Sequence, residues 1–145
     1  MDTASTVNPS ILENRPRSRP IFRVAGIGAL AATAANVALW AGGRASDVGF
    51  GVSPAAGDPF QVGAVLVIVT TLLVFAAGSA VLSLAARRSR QMVRVVIAAA
   101  AVFAVASTAG PLSTADDTAS GLLLTAMHLV TGAIFVGMAA RVRVS

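Results

Sequence analysis

The sequence predicts an all-α membrane protein: an antiparallel four-helix transmembrane bundle with N- and C-termini cytoplasmic. Three observations carry that expectation. Of 145 residues, 56% are hydrophobic and only 12% charged, with a mean hydropathy of +0.81, whereas soluble domains carry about 25% charged residues. The apolar residues gather into four runs near helix-spanning length. The arginines then flank those runs on alternate sides, which is the asymmetry that orients membrane segments.

Residues 1–20 hold Pro9, Pro16 and Pro20 with Arg15, Arg17 and Arg19. They offer too little apolar surface to offset ordering entropy and read as a disordered cytoplasmic arm. Residues 21–41 form the first span, which covers roughly 31 Å as a helix. Arg23 can snorkel near its inner end, and Trp40 stands where an interfacial aromatic belongs. A cleaved signal peptide is the rival reading, but its apolar region would be only about 7–15 residues long.

Residues 42–59 read as an outer loop of turns, rich in Gly and Pro, with Phe50 and Phe60 at the membrane surface. Residues 61–85 are uncharged and form the second span. Its β-branched middle would suit a strand in water, but in lipid a helix satisfies its own backbone. Ala76, Ser79, Ala80 and Ser83 supply small pairs for close helix contact.

The basic stretch 85–94 organises the topology. Arg87, Arg88, Arg90 and Arg94 lie between two apolar runs and are costly to carry across a bilayer, so this loop is expected in the cytoplasm. Residues 92–109 form the third span, which Gly110-Pro111 is expected to stop. Asp116-Asp117 precede the fourth span, residues 119–140, where carboxylates can cap free N–H groups; a cation site is the sharper and weaker reading. The domain thus runs over 21–141, with 142–145 as a cytoplasmic tail. Ten arginines fall on cytoplasmic segments and Arg44 alone outside, while Asp47, Asp58, Asp116 and Asp117 all fall outside.

The net charge of +5 and pI near 11.8 raise the question of nucleic acid. The arginines flank apolar segments and form no stripe on a polar face, so no nucleic-acid partner is expected. The chain has no Lys, Cys or Tyr, which removes Schiff-base, thiol and tyrosyl chemistry. No cofactor, metal site or catalytic residue is indicated, and no phosphate loop or dinucleotide fingerprint is present. Ser107, His128 and Asp116 or Asp117 have no local motif that would make them a hydrolytic triad.

One polar spot remains. His128, the only histidine, lies inside the fourth span, where ionisable groups are costly. Helical spacing places it with Gly121, Thr125 and Gly132, and Asn36 in the first span lies at a similar depth from the outer end. Asn36, Thr125 and His128 are therefore the candidate ligand or interhelical polar site. A hydrogen bond between helices is the bland reading, a ligand or proton site the sharper one, and a lone His makes a poor metal set.

With Asn36-Val37-Ala38-Leu39-Trp40, Gly110-Pro111 and Ala126-Met127-His128-Leu129-Val130-Thr131-Gly132, the chain resembles a family of small four-span integral membrane proteins of unknown function from high-GC Gram-positive bacteria. The likeness covers roughly residues 21–141. It implies a helical bundle in the bacterial cytoplasmic membrane, lends Gly110, Pro111, His128 and Gly132 interest as a pattern, and transfers no catalytic role. A non-enzymatic accessory, scaffold or self-associating component is the expected function. The alternative is a small-solute binding or transport protein with an outward-facing spot at Asn36 and His128. Expected partners are the lipid bilayer and a second copy or another membrane protein.

Overall fold

The computed structural model describes residues 19–142. The expected N-terminal arm, except its last two residues, and residues 143–145 lie outside them. The chain order is α1 (Arg19–Ala45), β1 (Gly51–Val52), β2 (Phe60–Gln61), α2 (Ala64–Arg88), α3 (Arg90–Ala106), α4 (Ala109–Thr114) and α5 (Thr118–Ala139). Among the described residues, four helical stretches are long and apolar enough to cross a membrane: Arg23–Ala45, Ala64–Arg88, Arg90–Thr114 and Thr118–Ala139. The molecule fits a small membrane protein. Helix is the form such runs must take in lipid, because it pairs every backbone N–H and C=O within the segment.

Helix α1 starts at Arg19 and runs to Ala45, four residues beyond the expected exit at residue 41. Pro20 sits in its first turn, where a missing N–H costs nothing. Helices α2 and α3 meet at a single residue. Ser89 is extended, its N–H donates to the Ala85 carbonyl, and its hydroxyl accepts from the Met92 N–H. That one link ends one helix and caps the next, so the four arginines lie on helix ends and not on a separate loop.

The expected stop at Gly110-Pro111 is corrected. Helix α3 already ends at Ala106, where the Ser107 and Thr108 hydroxyls bond the Ala104 and Val105 carbonyls. Gly110 and Pro111 lie inside α4. Pro111 is its third residue, within the first turn, whose N–H groups have no helical acceptor anyway.

Helix α1 packs on both α2 and α5, while α3 packs on α2 and α5 and makes little contact with α1. Small residues let the backbones approach. A Cβ on Gly28 would lie 2.8 Å from the Phe75 ring, and one on Gly78 2.8 Å from the Phe135 ring. Each aromatic thus fills a glycine socket on a neighbouring helix, and the two rings meet edge to face, centroids 5.4 Å apart at 77°. Of the expected small contacts on α2, Ser79 is buried and Ser83 half-buried, while Ala76 and Ala80 are exposed.

The α1–α2 linker is more ordered than its Gly and Pro content suggests. Strands β1 and β2 pair antiparallel, Gly51 with Gln61 and Val52 with Phe60. Val52 also bridges to Ala115 of the α4–α5 link, through Ser53 N–H to Thr114 O at 2.8 Å and Asp116 N–H to Gly51 O at 3.1 Å. The two linkers form one cap. Phe50, expected at the membrane surface, is fully buried at 0% exposure, whereas Phe60 is 46% exposed. The cause is a socket: the Phe50 ring lies against Gly43, where a Cβ would come within 2.5 Å of it.

Candidate functional site

The buried side chains divide into two apolar clusters. One, toward the arginine-rich ends of the helices, contains Ala32, Phe75, Leu82, Phe135 and Met138. The other lies beneath the cap and contains Phe50, Val52, Val67, Leu124 and Met127. Between them runs a polar layer. On α1 the buried face reads Ala32 and then Asn36; on α2 it reads Val67, Thr71, Phe75; on α5, Met127, the half-buried Thr131, and Phe135. The spacing of four puts each polar residue one turn from its apolar neighbours.

Asn36 is 3% exposed. Its Nδ2 donates to Thr71 Oγ1 at 3.0 Å and to Thr131 Oγ1 at 2.8 Å. Each hydroxyl in turn donates to its own helix, Thr71 to Val67 O at 2.7 Å and Thr131 to Met127 O at 2.8 Å. One amide therefore ties three helices together. Its Oδ1 has no partner, and neither do the buried hydroxyls of Thr33, Ser79 and Thr125. Thr33 lies three residues before Asn36, on the same face of α1.

The expected grouping of Asn36, Thr125 and His128 is not what the fold assembles. His128 is exposed, and its Nδ1 lies 2.8 Å from the Leu124 carbonyl of its own helix. A carbonyl only accepts, so this nitrogen carries the proton. Two causes shift the pairing. Helix α1 continues four residues past the expected exit, placing Asn36 roughly 6 Å deeper below its end than counted. The buried residues of α5 are Ser120, Gly121, Leu124, Met127, Phe135, Met138 and Ala139, and half-buried Thr131, between Met127 and Phe135, is the one that reaches Asn36. Gly121 and Gly132 of that expected face turn instead toward α4 and α3: a Cβ on Gly121 would meet Ala115, and one on Gly132 would meet Ala104. Thr71 and Thr131 supply the two partners of Asn36 instead. The alignment of each between apolar residues at i±4 was the signal for a layer.

The cap is held by polar contacts of its own. Asp117 caps α5, as expected of one of the paired carboxylates, accepting from the Ser120 N–H at 2.8 Å and the Ser120 hydroxyl at 2.6 Å. Asp116 instead accepts from the Ser53 hydroxyl at 2.6 Å, and any side chain on Gly51 would collide with it. Ser120 also accepts from the Phe50 N–H at 3.0 Å, and Trp40 Nε1 donates to Val62 O at 2.9 Å. Among the described residues, no three His, Cys, Asp or Glu side chains are grouped so as to hold a metal ion.

Two outcomes follow from this geometry. Asn36→Leu removes both interhelical bonds and leaves each threonine on its own carbonyl, so it should cost about 1 kcal/mol. Thr131→Val strands an amide N–H in the interior and should cost more, about 1–3 kcal/mol. Unfolding of the purified variants in mixed detergent micelles checks the order; a larger loss for Asn36→Leu would show that the amide does more than join helices.

The second concerns acid. The Ser120 hydroxyl and then the Ser120 N–H hold the Asp117 carboxyl below its ordinary value; burial opposes them more weakly, and the Ala119 N–H adds the least. A lowered folded-state pKa adds stability above the ordinary range near 4 and loses it as pH falls through and below that range. The melting temperature of wild type should exceed that of Asp117→Asn at neutral pH, with the gap closing below about pH 4. A gap that stays constant would exclude a charged cap.

No curated protein and no solved structure matches the chain. A family model does match, over residues 16–145, nearly the whole sequence. Four apolar helices, three of them joined through one polar layer, with paired linkers closing one end, are thus the fold of a chain that belongs to a family of unknown function, DUF6069.

Proposed function

We propose that this chain is a non-enzymatic component of a bacterial cytoplasmic membrane, the setting implied by its resemblance to small four-span proteins of high-GC Gram-positive bacteria. In this reading it is an antiparallel bundle with both termini in the cytoplasm, and it serves as an accessory, scaffold or self-associating subunit. The carrying observation is the Asn36 amide, which spends both N–H donors on threonines of two neighbouring helices. A group used that way sets helix register. His128, the other candidate for chemistry, is exposed and bonded to its own helix. The arginine bias supports the orientation, since Arg87, Arg88, Arg90 and Arg94 share one end with Arg141, while the described aspartates, Asp47, Asp58, Asp116 and Asp117, occupy the other.

A second reading keeps one specific support. Asn36 Oδ1 and Thr33 Oγ1 are buried without partners on one face of α1, and buried polar atoms normally find a partner. A small polar solute would supply one.

Reporter fusions test the orientation. A fluorescent protein inserted at Ser89 should fluoresce, and alkaline phosphatase inserted at Gly57 or Ser113 should be active; the reverse pattern would overturn the topology. Native mass spectrometry of wild type, Asn36→Leu and His128→Ala tests the role. Unliganded wild type whose association state persists in His128→Ala is the expected result. A retained solute that disappears in a folded Asn36→Leu variant would replace the scaffold reading with solute binding.

A further inference from the structure

The arginine-bearing start of α3 and the end of α5 border an open groove of about 340 Å³, whose lining includes Arg90, Arg94, Val93, Ile97, Ala139 and Ala140. Arg90 and Arg94 are four residues apart on α3, hence neighbours on one face of the helix. Two like charges at that spacing repel, and Arg87 and Arg88 at the end of α2 add to the same field. No described carboxylate can neutralise the pair, because Asp47, Asp58, Asp116 and Asp117 all stand at the opposite end of the helices. The first turn of the 17-residue α3 lies at the same place and contributes the positive end of its dipole.

We propose that this groove seats the headgroup phosphate of an anionic phospholipid. Guanidinium forks match phosphate oxygens in pairs, which a diffuse positive surface does not. The floor decides for a lipid over a soluble phosphate. Half-buried Ile97 lies on the span side of Arg94 and exposed Ala140 faces it across the groove, with the buried Val93 and Ala139 behind them, so the lining beside the headgroup position is apolar. A free phosphate has no use for that surface; the glycerol and upper acyl chain of a lipid do. Small Ala139 and Ala140 leave the room. Basic pockets between spans at a membrane face are suited to such headgroups. The inference goes beyond the scaffold reading and does not depend on it, requiring only that the arginine-rich end lie at a bilayer surface.

Native mass spectrometry of the full chain in mild detergent, titrated with phosphatidylglycerol and phosphatidylcholine, tests it. Wild type should bind phosphatidylglycerol at least tenfold tighter. Arg90→Gln with Arg94→Gln should weaken that binding roughly thirtyfold, from the two charges removed. Arg87→Gln with Arg88→Gln removes the same net charge beside the groove and should weaken it far less. Ala140→Trp fills the groove with both arginines retained, and should abolish the preference even if the double arginine variant does not fold. Equal losses in the two double variants, equal binding of the two lipids, an undiminished preference in Ala140→Trp, or displacement of the lipid by millimolar inorganic phosphate would each overturn the proposal.

Discussion

One amide sets the level of everything else. Asn36 is short, buried and able to donate twice, and its two N–H groups reach hydroxyls on α2 and α5. In lipid there is no hydrophobic drive between helices, so association rests on close packing and on hydrogen bonds of this kind. Apolar faces alone would let neighbouring helices slide. A donor with two fixed acceptors removes that freedom, because a shift of one turn would bring Val67 or Phe75, Met127 or Phe135, to the level of Asn36 in place of a threonine.

The packing above and below follows from that register. Phe75 is one turn from Thr71 and lands in the Gly28 socket; Phe135 is one turn from Thr131 and lands at Gly78. At the other end Phe50 reaches Gly43. It does so with φ of 54°, a left-handed conformation that costs a bulky residue energy. Its N–H to Ser120, its carbonyl accepting from the Val62 N–H and its buried ring hold it there. The same Ser120 bonds the capping Asp117, so the start of α5 and the turn before β1 share one hydroxyl. A linker that would otherwise trail over the surface is drawn down onto the helices.

At the arginine-rich end the arrangement is of a different kind. There the chain turns from α2 to α3 on Ser89 alone, and like charges are gathered without described acids to balance them. At the other end, Asp116 and Asp117 are satisfied by hydroxyls and an N–H of the chain itself.

The number of apolar helices was legible from residue order, because lipid leaves a long apolar run one backbone solution, and so was the gathering of arginines at helix ends, which is read locally. The cap on α5 was legible for the same reason, Asp117 being adjacent to the N–H groups it accepts from. What only tertiary structure decided is the pairing across helices. Asn36 was visible as a polar residue in a span, but its partners are 35 and 95 residues away, and helix rotation chose Thr131 over His128. Phe50 and Gly43 were visible as an aromatic and a glycine, but only three-dimensional packing could bring the ring back over α1. Periodicity sets which residues share a face of one helix; which face meets which neighbour, and at what height, is set by the packing of all of them together.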